Sequence, residues 1–118
     1  MLRIAYDPVY QHPLPPGPNG EPHRFPMAKY ELIPQQLLRE GTVNEAAFFS
    51  PKEIEERWIL RTHTAAYWQA LNAGTIPAKM VRRIGFPWSA ELVRREKIIT
   101  QGTIDCAHFA RQHGIAFN

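Results

Sequence analysis

The stretch from Ser89-Ala90-Glu91-Leu92 through His113-Gly114-Ile115-Ala116-Phe117-Asn118 decides how this chain reads as a fold. Ser89, followed by Glu91 and Leu92, opens a long helix, and Gly114 is the residue type that ends one. The next three residues, Ile115-Ala116-Phe117, are short and apolar, as a sheet strand would be. The spacing therefore predicts a helix over 89–113 and a strand over 115–117. A matching apolar run stands at the other end, where Leu2 to Tyr6 stops at Asp7-Pro8, and it predicts a buried strand over 2–6.

The segments between these two runs complete the pattern. Residues 7–26 read as a loop, proline-rich and turning at Asn19-Gly20. Met27, Tyr30, Leu32-Ile33, Leu37 and Leu38 fit a helix over about 27–40, with Gly41 as its stop and Pro34 as a source of kinking. Ser50-Pro51 with Glu53 predicts a helix over 51–57. Trp58-Ile59-Leu60 suits a brief strand, and a capped helix over 64–73 runs to Gly74. Strands alternating with helices predict an α/β layer structure with parallel strands. A parallel sheet has both faces covered and more strands than these. Ile115–Phe117 would be an edge with nothing beside it, so the chain reads as the opening portion of a larger sheet or a module that another chain completes.

Composition narrows the function classes. The chain has 118 residues with 44% hydrophobic and 21% charged, the balance of an ordinary single globular unit. No apolar run approaches the roughly 20 residues a membrane-spanning helix needs. The opening Met1-Leu2-Arg3-Ile4-Ala5-Tyr6 is too short and too soon polar for a secretory signal. Cys106 is the single cysteine, which excludes an internal disulfide and suits a reducing cytoplasm. The net charge of +3 comes from scattered bases with acids among them, a solvated mixed surface and not a nucleic-acid footprint.

The five histidines, at positions 12, 23, 63, 108 and 113, lack metal-ligand spacing. His108 and His113 lie about 140° apart around a helix, and a zinc site would need three ligands converging from distant segments. No metal site is expected within the chain. Cys106, among Asp105, Ala107 and Phe109, reads as a buried structural thiol. Asp7 reads as a strand-ending turn residue, and Trp58, Trp68 and Trp88 as packing residues. The loop Pro22-His23-Arg24-Phe25-Pro26-Met27 is different, because prolines stiffen it and hold out a guanidinium that can take a carboxylate or a carbonyl. Arg24 could equally pin the loop to its neighbours.

Five blocks in order resemble the histone deacetylase superfamily, in its class IV and bacterial form. They are Leu2 to Tyr6; His23-Arg24-Phe25-Pro26-Met27 with Lys29-Tyr30 and Leu32; His63-Thr64 with Tyr67; Arg82-Arg83-Ile84-Gly85-Phe86-Pro87; and Gln101 to Asp105 leading into Gly114 to Asn118. The resemblance implies the N-terminal portion of an arginase-like three-layer α/β sandwich. It further implies a parent hydrolase in which zinc-bound water attacks an acyl-lysine or other acylated amine. Pro22, His23, Arg24 and Phe25 would form the substrate-pocket loop, and Gly85, Phe86 and Pro87 a second pocket loop. That family's metal ligands and catalytic histidines have no counterpart here, so this chain alone is expected to hold no zinc and no catalytic residue. Its expected partners are the remainder of a deacetylase domain or a second copy. The alternative is a stand-alone, non-catalytic interaction module that oligomerises through its exposed sheet edge.

Overall fold

The protein, as a computed structural model, is described over all residues from Met1 to Asn118. Three short strands and five α-helices follow in the order β1 (Arg3–Ala5), α1 (Lys29–Arg39), β2 (Phe48–Phe49), α2 (Glu56–Ile59), α3 (Ala65–Ala73), α4 (Ala78–Ile84), α5 (Ala90–His113) and β3 (Ala116–Phe117). Single 3-10 turns cover Pro8–Tyr10 and Glu45–Ala47. The sheet order is β2-β1-β3, with both pairs parallel. Ile4 and Ala5 face Phe48 and Phe49 on one side, and Arg3 and Ile4 face Ala116 and Phe117 on the other.

Local chemistry explains the helix ends. Ser89 is extended and its hydroxyl accepts from Leu92 N at 3.0 Å, so α5 begins with a satisfied donor. Arg111 and His113 stand in the last turn, where the helix dipole favours positive charge, and Gly114 turns the chain away at φ 89. Thr64 caps α3 in the same manner through Tyr67 N. Gly74, at φ 71, closes α3, and the Trp88 indole donates at 2.6 Å to the Leu71 carbonyl, which also accepts from Gly74 N.

Strand alternation gives the sheet two unlike faces. Ala5 points to α5 and joins Tyr10, Ile98 and Cys106 in the core. Arg3 lies on the same face, its guanidinium 5.2 Å from the Phe49 ring and 5.0 Å from the Phe109 ring, while Nη1 donates to Ala46 O. The Cys106 thiol donates to Phe117 O at 3.0 Å, tying β3 to α5. Asn118 donates to Ile99 O and Thr103 Oγ1 and accepts from the Tyr10 hydroxyl at 2.6 Å. Gly102 makes this network fit, because a Cβ there would stand 2.6 Å from both Tyr10 Oη and Asn118 Oδ1.

This architecture corrects the sequence reading. The chain is a small, mostly helical domain with a tiny open three-stranded sheet, and not part of a three-layer arginase- or deacetylase-like sandwich. The physical reason is that residues between β2 and β3 form four helices and add no strand, so the sheet never widens. Trp58-Ile59-Leu60, expected as a strand, is helical, with Leu60 N bonded to Glu56 O and with Trp58 and Leu60 exposed. The helix expected over 51–57 begins only at Glu56, because Ile54 is buried and its N–H donates to Lys97 O on α5 at 3.3 Å instead of to a carbonyl of its own turn. Pro34 lies within a single unbroken α1. α4 was not foreseen, although Pro77 before it and Gly85 after it, at φ 87, mark both of its ends.

The outcome is a thin slab. Its extents are 44 × 40 × 17 Å and its radius of gyration is 16.3 Å, against about 13.5 Å for a compact chain of this length. Only 14 of 118 residues are buried, so a large part of the apolar content stays at the surface.

Candidate interaction surface

The open surface follows from the strand alternation. With Arg3, Ala5 and Phe49 turned to α5, the side chains of Leu2, Ile4 and Phe117 turn the other way. No helix lies across that face. α1 stands at its side, contributing Tyr30, Ile33 and Leu37 to a groove of about 540 Å³. Lys29 is the one charged residue among the fourteen that line it, and its ammonium rests 4.6 Å from the Phe25 ring and 5.2 Å from the Tyr30 ring. No residue of α1 is buried, and Leu32 and Ile33 are 58% and 54% exposed. Ile115 and Phe117 are each 52% exposed at the free edge of β3.

Area shows how unusual this is. The chain exposes 8251 Å², whereas a compact monomer of 13.6 kDa exposes about 6,600 Å². The excess of about 1,700 Å² is roughly twice what one partner contributes to a standard protein interface.

Both loops named from the sequence meet on a separate part of the surface. Pro22, His23 and Arg24 come against Gly85, Phe86 and Pro87 around an open concavity of about 770 Å³, which Phe25 does not line. Phe25 and Phe86 meet edge-on at 5.2 Å, and His23 and Phe86 at 5.9 Å. His23 Nδ1 accepts from Phe25 N at 3.0 Å, which fixes the turn of the loop. Arg24 and Arg82 are exposed there without an ion pair.

Sequence reasoning missed Arg95, which holds this loop in place. It is 3% exposed on α5, with Nε donating to Tyr10 O at 2.8 Å, Nη2 reaching Met27 Sδ at 3.6 Å and Nη1 pairing with Glu96 at 2.7 Å. Its guanidinium also lies 5.2 Å from the Tyr30 ring. Tyr10 and Met27 are the two ends of the proline loop, so one side chain pins both. A basic residue on the α5 face that also carries Leu92 and Ile98 was the available clue.

The titratable groups of the core are poised for packing. Burial pushes the Tyr10 phenol far above its ordinary value, with Cys106 and Asp7 nearby adding to the effect and Arg95 opposing it. Burial also raises the Cys106 thiol, helped by Asp105 and offset in part by a hydrogen bond involving the Ala5 backbone. A protonated, buried thiol is a poor nucleophile.

These observations overturn the enzymatic reading. No group of three His, Cys, Asp or Glu side chains is placed to hold a metal ion. Together with the helix-dominated open-sheet fold, this removes the basis for a deacetylase parent, for zinc as its cofactor, and for acyl-lysine or acylated-amine hydrolysis. No helix is long and apolar enough to cross a membrane.

No known family profile matches the chain. It is 37% identical over 115 residues to an uncharacterized protein of Picosynechococcus sp., an alignment covering 98% of this chain and 37% of that protein. The chain thus spans well under half the length of the curated relative it matches.

Proposed function

We propose that this chain is a non-catalytic interaction module that self-associates through the open sheet edge at β3. The observation that supports this best is the surface excess of about 1,700 Å² over a compact monomer, set beside an unpaired edge strand with Ile115 and Phe117 half-exposed. A two-fold axis normal to the sheet would bring β3 antiparallel to its copy and continue the sheet across both chains. Strand β3 is only two residues long, so backbone pairing contributes a few bonds of about 1 kcal/mol each. Burying the remaining halves of Ile115 and Phe117 adds about 1 kcal/mol apiece. Such an interface is weak, and association belongs in the micromolar to millimolar range. The Arg24 rim, with Pro22, His23 and Phe25 against Gly85, Phe86 and Pro87, would then serve as a contact for a partner's carboxylate.

Sedimentation velocity over about 10 μM to 1 mM tests the self-association. The wild-type chain should shift towards a dimer as concentration rises, and Ile115→Lys should stay monomeric with an unchanged circular dichroism spectrum. A wild-type chain that stays monomeric throughout would refute the proposal.

A further inference from the structure

The edge at β3 accounts for one side of the sheet, whereas the groove beneath Ile4 requires a different occupant. A second copy added at β3 lies in the plane of the sheet and leaves the groove uncovered. Parallel sheets are normally covered on both faces, and here α5 covers one. The excess surface suffices for two standard interfaces. We infer that the groove between the sheet and α1 is the seat of an amphipathic helix, supplied by polypeptide of the kind the Picosynechococcus protein carries outside the matched region. This inference rests on the interaction reading and names a second partner for it.

Three observations favour that occupant. More than half of the Picosynechococcus protein lies outside the region matching this chain, so polypeptide is available to such a groove in a relative. The lining, with Leu2, Ile4, Tyr30, Ile33, Leu37 and Phe117 among its fourteen residues, offers few hydrogen-bond partners. An extended segment laid there would leave buried N–H and C=O groups unmet, at a cost of some kcal/mol each. A helix satisfies its own backbone and presents an apolar stripe at i, i+3, i+4 and i+7. Lys29, the single charge of the lining, favours a carboxylate at the flank of that stripe.

The experiment is amide chemical-shift mapping by NMR on the full chain. The probe is a synthetic helix of about 18 residues carrying a leucine stripe flanked by glutamate. The controls are a scrambled peptide of the same composition, and laurate. The helix should shift Ile4, Tyr30, Ile33 and Leu37, and it should bind about tenfold more weakly to Ile33→Lys. Ile33 is 54% exposed, so that variant keeps its fold. Ile115→Lys, which breaks the edge but does not line the groove, should bind the helix as the wild type does. Failure of self-association with helix binding intact would therefore sink the edge proposal alone. No shifts at these residues, equal binding of the scrambled peptide, or shifts from laurate but not from the helix would each overturn the inference.

Discussion

Replacing Gly102 by alanine is the sharpest probe of how α5, the Pro8–Tyr10 turn and Asn118 lock together. In an ordinary helix interior the change stabilises by about 1 kcal/mol, because glycine has the greater freedom to lose. Here the new Cβ would stand 2.6 Å from Tyr10 Oη and 2.6 Å from Asn118 Oδ1, well inside contact distance. One of the two must move, which costs about 1–3 kcal/mol as overpacking. The Tyr10–Asn118 hydrogen bond of 2.6 Å is then lost or weakened, at a further 0.5–1.5 kcal/mol or about that. The net expectation is destabilisation by about 0.5–3.5 kcal/mol. At about 4 °C per kcal/mol for a chain of this length, Tm should fall by about 2–14 °C. Calorimetry or a urea titration measures it. Tyr10→Phe removes the clashing oxygen, so the double variant should be less destabilised than the sum of the singles, by about 0.5 kcal/mol or more. A rise in Tm for Gly102→Ala, or strict additivity with Tyr10→Phe, would refute this packing of Gly102 against Tyr10 and Asn118.

Other expectations follow from the same structure. Gly74→Ala forces a side chain to φ 71 and places its Cβ 2.8 Å from the Trp88 ring, so it should destabilise by more than about 1 kcal/mol in a urea titration. Arg95→Met removes the donor to Tyr10 O while keeping the volume; a loss of about 2–4 kcal/mol, with faster hydrogen exchange at both ends of the proline loop, is expected. Tyr10 and Cys106 both have raised values in the folded chain, so the folded state holds these protons more tightly than the unfolded one. Their contribution is complete below the unfolded values and drains away as pH rises through them towards the folded ones. The unfolding free energy from a urea titration should therefore fall above about pH 9, by up to about 1.4 kcal/mol per pH unit and group. Tyr10→Phe should flatten that decline, and a flat wild-type profile to pH 11 or so would contradict it.

What could be read from the sequence was what is decided locally. The Ser89 hydroxyl meets Leu92 N three residues away, and Gly74 and Gly114 turn the chain at the ends of their own helices. The apolar triplet before Asn118 contains β3, and the run at Leu2 to Tyr6 contains β1. The failures arise where distant residues decide. Ser50-Pro51 has the form of a helix start, yet Lys97, 43 positions later, takes the Ile54 N–H through its carbonyl. β2 is two residues long, too short for any alternation to mark it. The deacetylase-like blocks are short stretches, and short stretches do not specify how many layers a sheet acquires. Likewise, the meeting of His23 and Phe25 with Phe86 depends on α4, a short helix marked in the sequence only by its flanking Pro77 and Gly85. The groove was out of reach because it is made by what the sheet lacks on one face.

Arg95 has a consequence for how freely the proline segment can vary. Because one guanidinium holds Tyr10 O at one boundary and Met27 at the other, the residues between them carry little of the strain of closing the ring. Doubling the length of such a closed segment costs only about 0.6 kcal/mol. Gly20 has open space around it and sits at a turn. A reporter peptide or an epitope grafted at Asn19-Gly20 should leave the rest of the molecule undisturbed, making this the natural handle by which to label it.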